Sequence, residues 1–178
     1  DSIEEIFASV RHAAMVHKAG GGTGFSGAKI RPRNAVVGST GGIASGPCSI
    51  LFQPVNDVTE QIKQGSTRRG ANMGILPVWH PDILCFVRYK RADGALKNFN
   101  ISVAVTDDFM RQLVENPDRA HVCRFGSQRY ALKKSDESVV FAVMPPMSPG
   151  FVPDATADEW RPTPPAGDWV TVGDLWRE

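Results

Sequence analysis

Apolar residues at the start of the chain, Ile3, Ile6, Phe7, Val10, Ala14 and Met15, recur at helical spacing between Ser2 and Lys18 and predict an amphipathic helix. Ser2 with Glu5 matches a capping box, and the helix is expected to end at Ala19. The run Gly20, Gly21, Gly22, Thr23, Gly24 then predicts a permissive loop. A second helical pattern runs from Pro47 to Lys63, with Ile50, Leu51, Val55, Val58 and Ile62 as its buried stripe. Pro54 interrupts it, which predicts a kink or a restart near the cap-competent Asn56 and Asp57. Met73 to Val78, apolar and bounded by Pro77 and Pro81, suits a short buried strand. Asp82 to about Lys90 reads as a helix carrying Ile83, Leu84, Phe86 and Val87, with Cys85 an inert core thiol. Asn98 to Val105 alternates β-branched and polar residues as a strand does. Asp107 or Asp108 is the expected cap of a helix ending near Glu115. Val122 to Lys133 and Ser138 to Val143 predict a hairpin, with Cys123 in its first arm. Pro145 to Gly167 is proline-rich without periodicity, the pattern of a loop or linker, and Thr171 to Arg177 looks like a helix start. The order of elements gives an α/β class.

Composition narrows the class further. A chain of 178 residues is long enough for one domain with a core. Its 20 Lys plus Arg nearly cancel its 19 Asp plus Glu, so no global basic field points to nucleic acid. Cys48, Cys85 and Cys123, far apart and odd in number, argue against a disulfide scaffold and fit a reducing cytosol. They show no zinc spacing, and His12 and His17, five apart, do not share a helix face, so no metal site is expected. No apolar run approaches a membrane span, and the opening Asp1 suggests an excised piece.

Candidate chemistry concentrates in loops. Gly22, Gly24 and Gly27 satisfy GxGxxG, but a dinucleotide fingerprint needs a strand before it and a helix after it, whereas a helix precedes and Arg31-Pro32 follows. GTGFSGAK also fails as a phosphate-cradling loop, because an alanine is inserted and no hydroxyl residue follows the lysine. What remains is a backbone able to donate amide hydrogens to an anion, or a tight turn where packing excludes a Cβ. Lys29, Arg31 and Arg33 would share one face of an extended segment and could grip a triphosphate; a solvated face is the simpler alternative. Gln64 to Asn72 sets Arg68 and Arg69 between small residues on both sides, a cationic loop suited to a phosphorylated or planar ligand, or a solvated turn.

Three of these stretches carry a family resemblance: AGGGTGFSGAKIRPRNAVVGSTGGIASGP, IKQGSTRRGANMGILPVWHPDI and KNFNISVAVTDDFM. In order and spacing they resemble signature stretches of the large, catalytic chain of ribonucleotide reductases, most of all the adenosylcobalamin-dependent class II. The resemblance covers about Asp1 to Leu113. It implies part of a ten-stranded α/β barrel, truncated at both ends, with 1–115 as the amino-terminal part of the catalytic barrel. Residues 116–168 are then a variable hairpin and Pro-rich insertion, and 169–178 start the next barrel helix.

The resemblance also implies roles for residues. Asp1, Ser2 and Ile3 fall where the family contacts the sugar and base of a deoxynucleoside triphosphate or ATP effector, and Arg31 where it contacts phosphate. Gly21 and Gly22 fall where backbone approaches the substrate nucleotide. Gln64, Gly65, Arg69, Gly70, Ala71 and Asn72 resemble the specificity loop between effector and substrate, with Arg68 reaching the substrate side. The opening helix and the helix after Pro47 would belong to a subunit interface, making a homodimer. The implied reaction, for DNA synthesis in the cytoplasm, replaces the ribose 2′-hydroxyl with hydrogen. It uses a thiyl radical raised by adenosylcobalamin and a cysteine pair recharged by a dithiol reductant such as thioredoxin. No catalytic residue is placed in this chain: the first redox cysteine would lie upstream of Asp1 and the radical cysteine beyond Glu178. Alone, the piece is therefore expected to be inactive. Cys48 stands where the family shows an aliphatic residue, and Pro54 departs from an unbroken helix. The alternative reading is a non-catalytic nucleotide-binding regulatory module.

Overall fold

The structure, a computed structural model, describes residues 2–38, 41–62, 70–91, 95–132, 141–144 and 169–178, the segment 141–144 by its backbone. Two compact units divide the chain: 1–78 with 82–105, and 79–81 with 106–178.

The first unit is built on a parallel sheet of β1 (Thr23–Ser26), β2 (Asn72–Pro77) and β3 (Phe99–Ala104) in the order β1-β2-β3. Helix α1 (Ile3–Lys18) precedes β1; a π-helical turn (Cys48–Phe52) and α2 (Gln53–Gln61) precede β2; α3 (Ile83–Tyr89) precedes β3. Helices before each strand account for the parallel order, because parallel neighbours need a crossover. The core gathers where the π-helical turn, α3 and β3 meet. Phe52 lies 5.4 Å from Phe86 and 5.7 Å from Phe99 between ring centroids, with Val55, Leu76, Ile83 and Leu96 buried alongside.

The α1 cap forms as expected, with Ser2 Oγ accepting from the Glu5 amide at 3.2 Å. Its buried face is instead Ile6, Val10, Ala13 and His17, while Ile3, Phe7 and Met15 stay exposed. The glycine run does not remain a loop, since β1 starts at Thr23 and borrows its hydrogen bonds from β2, a pairing that no local pattern encodes. Lys29, Arg31 and Arg33 do not lie along an extended segment. Turns close at Gly27–Ile30 and Pro32–Ala35, with Asn34 at φ 66°, and break the alternation. The expected restart near Asn56 is also displaced. Five residues wind as a π-helix and α2 restarts at Gln53, placing Pro54 in its first turn, where a missing amide is tolerated. The inserted turn shifts the buried face to Cys48, Leu51, Phe52, Val55, Asn56 and Thr59, leaving Ile50, Val58 and Ile62 half-buried. Cys85 is half-buried rather than sealed in a core.

The second unit holds an antiparallel meander of β4 (Val122–Phe125), β5 (Gln128–Leu132) and β6 (Phe141–Met144). The expected first arm is itself a hairpin, turned at Gly126 with φ 57°. Helices α4 (Asp107–Glu115) and α5 (Val172–Arg177) pack together in the same unit. Thr106, rather than either aspartate, caps α4 by accepting from the Phe109 amide at 3.2 Å, and Thr171 with Asp174 forms a reciprocal capping box on α5. The proline-rich stretch 145–167 lies outside the described residues. Among the described residues the two sheets do not close into a barrel.

Candidate functional site

Strands β1, β2 and β3 all begin at one end of the parallel sheet. Thr23 pairs with Asn72 and Asn72 with Phe99, and the Thr23 amide donates to the Ala71 carbonyl at 3.2 Å. The glycine run entering β1 and Gly70-Ala71 entering β2 are therefore neighbours.

A buried polar network fixes that junction. His17, in the last turn of α1, sets Nε2 2.8 Å from Asn72 Oδ1 and Nδ1 3.1 Å from the Gly21 carbonyl oxygen. Thr23 Oγ1 also donates to Asn72 Oδ1. The Asn72 amide nitrogen donates to Thr59 Oγ1 at 3.0 Å and to the Asn98 carbonyl at 3.1 Å. Asn98 is held in turn by α2, its backbone amide donating to Asn56 Oδ1 at 3.1 Å and its side chain to Glu60 Oε2 at 3.0 Å. His17, Asn56, Thr59, Asn72 and Asn98 are all buried, so each unmade bond would cost the desolvation of its group. Gly70 fits against this cluster only because it has no side chain: a Cβ there would stand 2.7 Å from His17 Nδ1 and 2.8 Å from Thr59 Cγ2.

The sheet itself offers a second surface. Asn72, Gly74 and Leu76 face inward, while Met73 and Ile75 of the same strand remain 38% and 37% exposed. In register with them lie Gly24 and Asn100, then Ser26 and Ser102. All four are exposed, which gives the outer face small and polar side chains at the strand starts.

The sequence-predicted residues divide on this frame. Gly21 and Gly22 are exposed at the strand-start junction, with Gly70 half-buried and Ala71 exposed beside them. Asn72 is buried as an anchor of the sheet rather than presented to solvent. Ser2 and Ile3 sit at the far end of α1, roughly 24 Å away along a helix of 16 residues. Arg31 is half-buried between the two turns. Asp1, Gln64, Gly65, Arg68 and Arg69 lie outside the described residues. Sequence reasoning missed His17, weighed only as a metal partner of His12, although it continues the Ile6, Val10, Ala13 spacing of the buried face. It also missed Asn100 and Ser102, the polar half of the β3 alternation.

A second titratable cluster lies where the chain before the π-helical turn meets α3. Asp82 is buried, and its Oδ2 accepts from the Arg33 amide at 2.9 Å. Burial outweighs that hydrogen bond and the Arg33 charge, and pushes its carboxyl up to about 6. Cys48 and Cys85 adjoin it, and the two thiols shift each other's ionisation, Cys85 downward and Cys48 upward. Among the described residues no three His, Cys, Asp or Glu side chains gather closely enough to hold a metal ion. No helix among them is long and apolar enough to cross a membrane.

The model of the ribonucleotide reductase barrel domain matches residues 1–142. The chain belongs to that family. A vitamin B12-dependent ribonucleoside-diphosphate reductase of Thermoplasma acidophilum is 55% identical over 120 residues, covering 66% of this chain and 15% of that protein. The enzyme of the same name from Mycobacterium tuberculosis strain H37Rv is 44% identical over 117 residues, 65% of this chain and 16% of that protein. The chain thus spans about a sixth of these curated relatives. In fold it is similar to the Actinobacillus ureae class Id ribonucleotide reductase alpha subunit, with a TM-score of 0.55 and 24% identity over 65% of this chain and 20% of that one. The ribonucleotide reductase barrel family therefore frames both the parallel sheet and the loops that enter it.

Proposed function

We propose that this chain is the part of an adenosylcobalamin-dependent ribonucleotide reductase that carries its effector and substrate-specificity elements. The observation that carries this reading is the junction of Gly21, Gly22, Gly70 and Ala71, tied together by His17 and Asn72 at the start of β1 and β2. In this reading exposed backbone at Gly21 and Gly22 receives the substrate nucleotide, and Gln64 to Asn72, with Arg68 toward the substrate and Gly65 and Arg69 flanking it, passes the effector's identity to it. Asp1, Ser2, Ile3 and Arg31 hold the deoxynucleoside triphosphate or ATP effector. With Asn72 anchored in the sheet, an effector that reshapes the segment leading to it changes which base fits beside the glycines.

Parallel sheets are normally covered on both faces, and the exposed row of Met73, Ile75, Asn100 and Ser102 calls for a cover. The remaining strands of a ten-stranded barrel supply it in this reading, making that face the wall of the substrate chamber. Adenosylcobalamin, when bound, supplies the radical by cleavage of its cobalt-carbon bond. The described residues offer it no ligand cluster, and we assign none of them to it. The reducing and radical cysteines belong to other parts of the enzyme, recharged by a dithiol reductant such as thioredoxin in the cytoplasm, so this piece alone is inactive.

The test is ribonucleotide reduction by the full-length native protein, with and without adenosylcobalamin and a dithiol, across a panel of deoxynucleoside triphosphates. Turnover should require the cofactor and persist in air. Exchanging the effector should shift the preferred base 5–150-fold, the span of ordinary allosteric coupling. Arg68→Ala should erase most of that shift while leaving Tm within a degree or two. A folded protein with no turnover under any of these conditions would overturn the reading.

A further inference from the structure

We propose that Cys48 and Cys85 form an oxidisable dithiol, a modification site at which a hydroperoxide closes a disulfide between the π-helical turn and α3. The two cysteines are 37 positions apart in sequence, but the fold lays their elements side by side. Three contacts run along the seam in matching order, with the two cysteines between the first and the second. Gly46, at φ 78°, lets Asp82 approach so closely that a Cβ would stand 2.7 Å from Oδ2. Cys48 and Cys85 come next on the two segments, close enough that each shifts the other's ionisation. Phe52 packs on Phe86 at 5.4 Å, and the Tyr89 hydroxyl donates to Gln53 Oε1 at 3.2 Å. The thiol pair is thus bracketed on both sides by contacts that hold the two segments together.

The two sulfurs are not equivalent. Cys48 is buried, while Cys85 is half-buried and the one a small oxidant can reach. The neighbouring thiols shift each other, Cys85 below its usual range and Cys48 above it. Asp82 opposes ionisation of both and Arg33 favours it. Cys85 is therefore the attacking thiolate and Cys48 the resolving thiol. The Cys85 sulfur attacks one peroxide oxygen, the O–O bond breaks, and the departing hydroxide takes a proton to become water. The Cys48 sulfur then attacks the resulting sulfenic sulfur, the S–S bond forms, the S–O bond breaks, and a second water leaves with the Cys48 proton. Two thiols lose two protons and two electrons, and one hydrogen peroxide becomes two waters. The site is independent of the nucleotide reading: it lies in the seam between the π-helical turn and α3 and uses no residue assigned to effector or substrate.

Trypsin separates the three cysteines, placing Cys48 in peptide 34–63, Cys85 in 70–88 and Cys123 in 120–124. Full-length native protein would be treated with hydrogen peroxide, alkylated and digested for mass spectrometry. The expected result is a 34–63/70–88 pair linked with the loss of two hydrogens, growing with peroxide dose and reversed by dithiothreitol. Cys48→Ser should lose the link and instead accumulate a Cys85 sulfenic acid trapped by dimedone. A native protein in which Cys85 oxidises without the link, in which either thiol joins Cys123 or any other cysteine instead, or in which neither thiol reacts, overturns the proposal.

Discussion

Asp82 shows how one side chain can hold two segments together and still cost stability. Its carboxyl sits in the seam facing the Arg33 backbone and guanidinium, with Cys48 and Cys85 beside it, and burial raises it from 3.8 to about 6. A carboxyl raised on folding keeps a proton that the unfolded chain has already lost. Stability from this group is therefore fully present below about 3.8 and lost as pH rises through about 6. Above that, the charged form costs the fold roughly 3 kcal/mol. Asp82→Asn keeps an acceptor for the Arg33 amide but cannot ionise. Urea unfolding should find it more stable than the native chain by about 1–3 kcal/mol at pH 7–8. The gap should shrink steadily from pH 6 to pH 4. A gap constant across that range would mean that Asp82 does not titrate there.

At the scale of elements, the polar junction at the strand starts is held by the directions of its hydrogen bonds. Asn72 uses its amide nitrogen to reach Thr59 and Asn98 and its oxygen to receive His17 and Thr23, so no isostere with the wrong polarity will serve. Asn72→Asp would turn a donor toward the Asn98 carbonyl into a buried charge and should cost about 3 kcal/mol or more by denaturant unfolding. Gly70→Ala, which forces a methyl against the His17 ring, should cost about 1–3 kcal/mol. Equal stability of either variant to the native chain would show that the loop entry can relax. This junction also marks what was legible in advance. Helices α1, α3 and α4 and strands β2 and β3 follow their own periodicity, because each presents an apolar face long enough to read. Strand β1 was not legible, since its Thr-Gly-Phe-Ser acquires strand geometry from β2 rather than from its residues. The π-helical turn was not legible either, because Pro54 signals an interruption without saying on which side the extra residue is absorbed. Gly21 and Gly22, just before β1, could be picked out as a loop from composition alone. His17, Asn72 and Asn98, which hold the junction, could not, because a buried polar residue looks like a surface one until its partners are known.

For the whole molecule, under the proposed function, the distance along α1 sets the terms of allostery. Ser2 and Ile3 stand at one end of the helix and Gly21 and Gly22 at the other, roughly 24 Å apart, too far for one nucleotide to touch both. A second copy of the chain resolves this if the two α1 helices pack antiparallel, since the effector end of one then approaches the substrate end of its partner. The helix carries the surface for such packing. Ile3, Phe7 and Met15 follow helical spacing and remain 66%, 50% and 58% exposed, an aligned apolar row rather than isolated residues. Phe7→Glu puts a charge at the middle of that row without touching the buried face of Ile6, Val10, Ala13 and His17. In the full-length enzyme it should shift a dimer toward monomer by light scattering, leave unfolding within about 0.5 kcal/mol of native, and reduce the effector's 5–150-fold influence on substrate choice toward none. An enzyme that stays dimeric with its effector response intact would place the interface elsewhere. An enzyme that becomes monomeric and still answers its effector would show that coupling runs within a single chain, through the segment anchored at Asn72.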